Sequence, residues 1–178
     1  MALRKAILTV LLAAGICGVL LRADDQPRLE YRVKAAFLLN FTKFVEWPAE
    51  AFENSRSPFR ICLFGNDPFG GVIDQMVKGE GLNGRPLVVS RISRMPEPKA
   101  CQVLFVNRVS TDDMKALAPL RPGVLTVGEG HEFVRDGGVI AFVVENRRVR
   151  FDISQRAATS EMLTISSHLL SVARSVEK

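Results

Sequence analysis

Two of the three cysteines, both histidines and a few polar residues at strand ends are the groups in this chain that could do chemistry. Cys62 and Cys101 are separated by 38 residues. A thiolate zinc site would need two further ligands, and His131 and His168 have no ligand-like spacing to the cysteines, so no metal is expected. In an exported chain, a pair of this kind points to a disulfide in preference to a metal site. Closing that loop would constrain the unfolded chain by about 4 kcal/mol in the entropic description. The common catalytic signatures are absent: no G-x-S-x-G elbow, P-loop, dinucleotide G-x-G-x-x-G or His-Glu-x-x-His occurs. His131 and His168 have no identifiable nucleophile beside them, and Ser166-Ser167 read as cap or packing residues. The chain is therefore not expected to be an enzyme or to carry a cofactor.

One constellation could hold a small ligand. Asn66 and Asp67 follow the first predicted strand, Asn107 the third and Glu129 the fourth. Carboxyl ends of parallel strands converge on the usual crevice of open α/β folds. Competing roles are a helix cap for Asp67 and turn formation for the asparagines.

Export is read from the N-terminus. Arg4 and Lys5 precede the uncharged, apolar run Ala6–Leu21, and Arg22-Ala23-Asp24-Asp25 follows. That layout is a secretory signal over residues 1–23, with one domain over 24–178. At 16 residues the run is short for a membrane span, which needs roughly 20, so no span is expected after cleavage. Ile16 before Cys17 argues against a lipoprotein site. Removing Arg4, Lys5 and Arg22 lowers the net charge from +5 to +2. The basic balance therefore belongs largely to the signal, and nucleic-acid binding is not expected.

The elements that must position these groups follow in order. Tyr31–Pro48 reads as one amphipathic helix. Val33, Phe37, Phe41 and Phe44 recur on its inner face, with Ala36, Leu38 and Val45 widening the stripe, Arg32, Lys34, Lys43 and Glu46 lie outside, and Trp47-Pro48 forms the stop. Phe59–Phe64 is a buried strand, and Asp67 with Pro68 opens a helix with Phe69, Val72, Ile73, Met76 and Val77 on its inner face. Arg85–Ile92 and Gln102–Val106 are strands, Ser110 opens a short helix, and Gly123–Val127 is a fourth strand. Val139–Val144 and Val149–Ile153 form a hairpin across Asn146-Arg147. Ser154 caps a final helical region with Ala158, Met162, Ile165, Leu169 and Leu170 inward. Alternating strands and helices predict an α/β domain: a mostly parallel sheet covered by helices on both faces, in the order 2-1-3-4-5, with an antiparallel edge strand. Neighbouring first and third strands would bring Cys62 and Cys101 within disulfide reach. Trp47 at the end of the first helix, and Phe142, Val144, Val149 and Phe151 of the hairpin, are candidate partner contacts, because aromatic and apolar patches mark interfaces.

The ordered set YRVKAAFLLNFTKFVEWP, FRICLFGNDPFG, CQVLFV, GVLTVGE and VRFDIS…LTISSHLL resembles the YfiR/HmsC family of periplasmic proteins, from about Leu29 to Ala173. The resemblance implies a single exported α/β domain. It would repress an inner-membrane diguanylate cyclase by binding its periplasmic region, lowering cyclic-di-GMP and biofilm formation. It also implies a homodimer and redox sensitivity through disulfides. Cys62 and Cys101 match a family disulfide position, whereas the second cysteine pair that some members carry near the hairpin is missing here. The competing expectation is a periplasmic small-ligand sensor using the strand-end crevice.

Overall fold

The central strands are buried at nearly every position, so successive side chains enter two different layers and the sheet must be covered on both faces. The computed structural model describes residues 25–107 and 122–178. Helix α1 spans Asp25–Phe44 and is followed by β1 (Val45–Glu46) and a single 3-10 turn at Ala49–Ala51. Then come β2 (Phe59–Phe64), α2 (Gly71–Val77), β3 (Gly81–Leu82), β4 (Arg85–Ile92) and β5 (Val103–Val106). After the undescribed stretch come β6 (Leu125–Glu129), α3 (Glu132–Arg135), β7 (Ile140–Glu145) and β8 (Arg148–Ser154). The chain closes with α4 (Gln155–Ser160), β9 (Thr164–Ile165), α5 (Ser167–Val172) and β10 (Ser175–Glu177). The helix expected from Ser110 lies outside the described residues.

The main sheet has eight strands in the order β10-β8-β7-β6-β5-β2-β4-β3. Its central strands β4, β2, β5, β6 and β7 run parallel in the expected 2-1-3-4-5 order. Strand β8 pairs antiparallel with β7, but it is not the edge: β10 adds to it in parallel, Ser175 opposite Asp152. The hairpin turn places Asn146 and Arg147 at φ of 50° and 60°. These positive angles belong to the type I′ turn that matches strand twist.

Two cores flank the sheet. On one face, Ile61 and Leu63 of β2, Phe105 of β5 and Phe142 of β7 pack with Leu38 and Phe41 of α1 and Ile73 of α2. On the other, Cys62, Cys101, Leu104, Val106 and Ala141 pack with Phe133 and Val134 of α3. Phe133 lies so close to the chain that a Cβ at Gly128 or Gly138 would meet its ring at 2.3 and 2.1 Å. Both positions therefore require glycine.

Three local expectations change. Helix α1 ends at Phe44 rather than at Trp47, because Val45 and Glu46 pair with Ile165 and Thr164 in a separate two-stranded sheet. The Ser166 amide also donates to the Phe44 carbonyl at 2.9 Å. Lys34, placed on the wet side by its charge, is buried, while Val33 is 37% exposed. The inner stripe is Ala35, Leu38, Phe41 and Thr42. Finally, the closing helical region is broken in two. Ser154 caps α4 as expected, accepting from the Ala157 amide. Met162 then turns left-handed at φ 59° and is 54% exposed, instead of facing inward. Pairing of Thr164-Ile165 with β1 interrupts the helix, and Ser166 starts it again by accepting from the Leu169 amide. Long-range pairing overrides a helical pattern this short.

Candidate functional site

The cysteines are brought together by the sheet. Strands β2 and β5 are neighbours, with Cys62 opposite Leu104, and the chain enters β5 from Cys101. Cys62 and Cys101 form a disulfide with Cα atoms 5.8 Å apart. Both are buried in the second core. Beside the bridge, Gln102 joins three segments. Its side chain accepts from the Arg60 amide and donates to the Ala51 carbonyl, and its own carbonyl accepts from Trp47 Nε1 at 3.1 Å.

A cavity of about 720 Å³ opens over the disulfide. Arg60, Cys62 and Phe64 alternate toward this face of β2, and Val88, Ser90 and Ile92 stand opposite them on β4. The cavity is lined by Cys62 and Cys101 together with Arg60, Ser90, Ile92 and the loop that returns from Ser93 to Ala100.

At the carboxyl ends of the strands the four proposed crevice residues divide into two groups. Asn66, Asp67 and Asn107 lie together: Asn107 Nδ2 donates to the Asn66 carbonyl at 2.8 Å. Asp67 accepts from the Phe69 and Gly70 amides and pairs with Arg91 at 2.8 Å. Arg91 also holds Asp74, whose carboxyl it keeps below the usual range chiefly by hydrogen bonding. Asp67 thus shapes the turn into α2, as its capping chemistry suggested, although Gly70 occupies the N-cap position itself. Glu129 belongs elsewhere. It accepts from Lys34 at 2.7 Å and from the Tyr31 hydroxyl at 3.4 Å, tying the end of β6 to α1.

Lys34 completes an ion triad, with Glu30 one turn away at 2.5 Å. Burial opposes its charge, but the hydrogen bonds and charges of Glu129 and Glu30 outweigh that and hold its pKa above the usual lysine value. Burial and the nearby Glu129 charge likewise push the Tyr31 hydroxyl upward. The i,i+4 spacing of Glu30 and Lys34 was visible in the sequence; the third member, 95 residues away, was not.

A second buried charge sits under the hairpin. The Asp152 side chain is 2% exposed and forms a two-point pair with Arg174, Nε to Oδ1 at 2.7 Å and Nη2 to Oδ2. This pair fastens β10 to β8. Burial alone would raise the Asp152 pKa; hydrogen bonds from Arg174 and Ser175 and the nearby positive charges outweigh it and hold the carboxyl below its usual 3.8. A group with a depressed folded pKa stabilises the fold above its unfolded value, and that contribution is lost as the pH falls below it. Thermal melts from neutral pH to below about pH 4 should therefore show a steep loss of stability in the native chain. An Asp152→Asn variant should be less stable at neutral pH and show a shallower acid dependence. Parallel curves for the two proteins would refute this role.

The partner candidates are not equally accessible. Phe142 and Phe151 are 1% and 3% exposed and pack against Phe41 in the first core. Val149 is half-buried, and Val144 is 52% exposed at the end of β7. Trp47 is half-buried, edge-on to Phe59 with ring centroids 4.8 Å apart. His131 and His168 are exposed. His131 lies 2.6 Å from Glu132, and His168 packs on Phe44. Among the described residues no group of three or more His, Cys, Asp or Glu is arranged to hold a metal ion, and no helix is long and apolar enough to cross a membrane.

A family model described as YfiR/HmsC-like matches residues 31–174. No curated protein matches the chain.

Proposed function

Because the chain belongs to the YfiR/HmsC-like family, we propose that it is an exported regulator without catalytic activity. In this reading it binds the periplasmic region of an inner-membrane diguanylate cyclase and lowers cyclic-di-GMP synthesis, and with it biofilm formation. The observation that carries the proposal is the family match across nearly the whole chain after the signal-like segment. The Cys62–Cys101 disulfide fits a protein that folds in an oxidising compartment. The mechanism is thermodynamic. The regulator binds one conformation of the cyclase better than the other and shifts its population by that difference in affinity. We place the contact at the exposed end of the hairpin, on Val144 and Val149, with Trp47 as a further contact and a homodimer as the binding form.

The test is capture of the cyclase from inner membranes by the tagged, exported chain, together with cellular cyclic-di-GMP in a deletion strain. Capture and a rise in cyclic-di-GMP on deletion are expected; absence of both would reject the regulator. A Val144→Asp variant should keep the native melting temperature, because the side chain is 52% exposed. Placing a charge at an apolar contact should weaken capture by about tenfold or more. Undiminished capture by that variant would move the contact away from the hairpin.

A further inference from the structure

The cavity over the disulfide has a composition that neither the fold nor the regulator reading uses. Its accessible apolar surface comes from the half-buried Ile92, Met95, Pro58 and Pro96 above the buried Cys62–Cys101 bridge, and three cations, Arg60, Arg94 and Lys99, share its lining. Among the described residues, none of these three lies within ion-pair distance of a carboxylate. Arg91 also lines the cavity, but Asp67 and Asp74 already neutralise it. Glu53 and Glu97 are the acids of the lining and form no ion pair among the described residues either, so with Arg91 neutralised the three cations outnumber the two acids by one positive charge. Arg60 is held in place by donating from Nη1 to Ser90 Oγ at 2.9 Å, and its side chain makes no other hydrogen bond among the described residues. Lys99 stands at φ 66°, a left-handed conformation that asparagine or glycine would adopt at lower cost.

We propose that this cavity binds a small organic oxyanion: a carboxylate or phosphate attached to an apolar or aromatic body. Guanidinium groups pair with such oxygens through two parallel N–H bonds, and an ammonium adds a point charge. Met95 and Ile92, both half-buried, supply soft apolar contact for the body of the ligand, so charge and shape are recognised together. The site is independent of the hairpin contact with the cyclase.

The test uses the mature chain, oxidised, in low salt, with phenyl phosphate, benzoate and benzyl alcohol as probes in titration calorimetry. Phenyl phosphate should bind, benzoate more weakly as a monoanion, and the neutral alcohol not measurably. An Arg94→Ala/Lys99→Asn double variant should melt like the native chain, since both side chains are exposed and asparagine tolerates the left-handed angle. Its affinity for phenyl phosphate should fall by roughly tenfold or more, as two charge-assisted contacts are lost. An Arg60→Gln variant should lose affinity as well. The proposal is overturned if phenyl phosphate fails to bind, if benzyl alcohol binds equally well, or if the folded double variant keeps native affinity. Each readout is made on the purified protein, so none depends on whether a cyclase is captured.

Discussion

A Cys62→Ala variant is expected to lose about 4 kcal/mol of folding stability, the entropy that a cross-link removes from an unfolded loop of this length. The sequence separation is 39, and the effect grows only slowly with length, so the figure is insensitive to small errors in the loop. The expected result is a large shift of the denaturant midpoint. Native protein treated with a strong reductant should move to nearly the same midpoint, because both treatments release the same constraint. Cys62 is fully buried in the second core, so alanine leaves a small void but no unsatisfied hydroxyl. A midpoint that stays in place after verified reduction would show that the bridge does not restrict the unfolded ensemble. The consequence for the proposed regulator is direct. Loss of the bridge also frees the loop Ser93–Ala100 at its return point, so the cavity over the disulfide should lose its oxyanion affinity along with the stability.

A Phe41→Ala variant should cost about 3–5 kcal/mol, the range for truncating a large buried aromatic. Phe41 is fully buried, with its ring centroid 6.0 Å from Phe37, 5.7 Å from Phe142 and 5.1 Å from Phe151. These contacts join α1 to both arms of the hairpin, so the cavity left behind has neighbours from three elements and cannot collapse by moving one of them. Chemical denaturation of a Phe41→Leu variant should show a much smaller loss, about 1–2 kcal/mol, because most of the apolar volume is kept. Equal losses for alanine and leucine would place the effect in ring-specific contacts instead of volume. The same cluster explains why Phe142 and Phe151, attractive as exposed aromatics when read along the hairpin, are committed to the interior.

Much of the domain was legible from local pattern. FRICLF, RPLVVSRI and VIAFVV are short, β-branched and bounded by turn residues, and each became a strand. Ser154 and Ser166 could be read as caps, since a serine hydroxyl one position before a helix satisfies an orphan amide whatever the rest of the fold does. Less local features were not readable. Lys34 looked solvent-facing because its charge is costly to bury; it is buried because Glu129 meets it from the end of β6. The run after Ser154 looked like one helix because its apolar spacing is helical; it breaks because β1 offers Thr164 and Ile165 backbone partners.

The sequence by itself determined the α/β class, the strand and helix types, the paired cysteines and the ordered motifs of the family, because propensity, periodicity and capping act over a few residues. Only the tertiary structure decided that the strand of Cys62 lies beside the one Cys101 leads into, that Glu129 leaves the other strand-end residues to neutralise Lys34, and that Arg60, Arg94 and Lys99 line one cavity. Those are juxtapositions of residues far apart in the chain. They are fixed by strand order and by which face of the sheet is covered, and no local pattern encodes them.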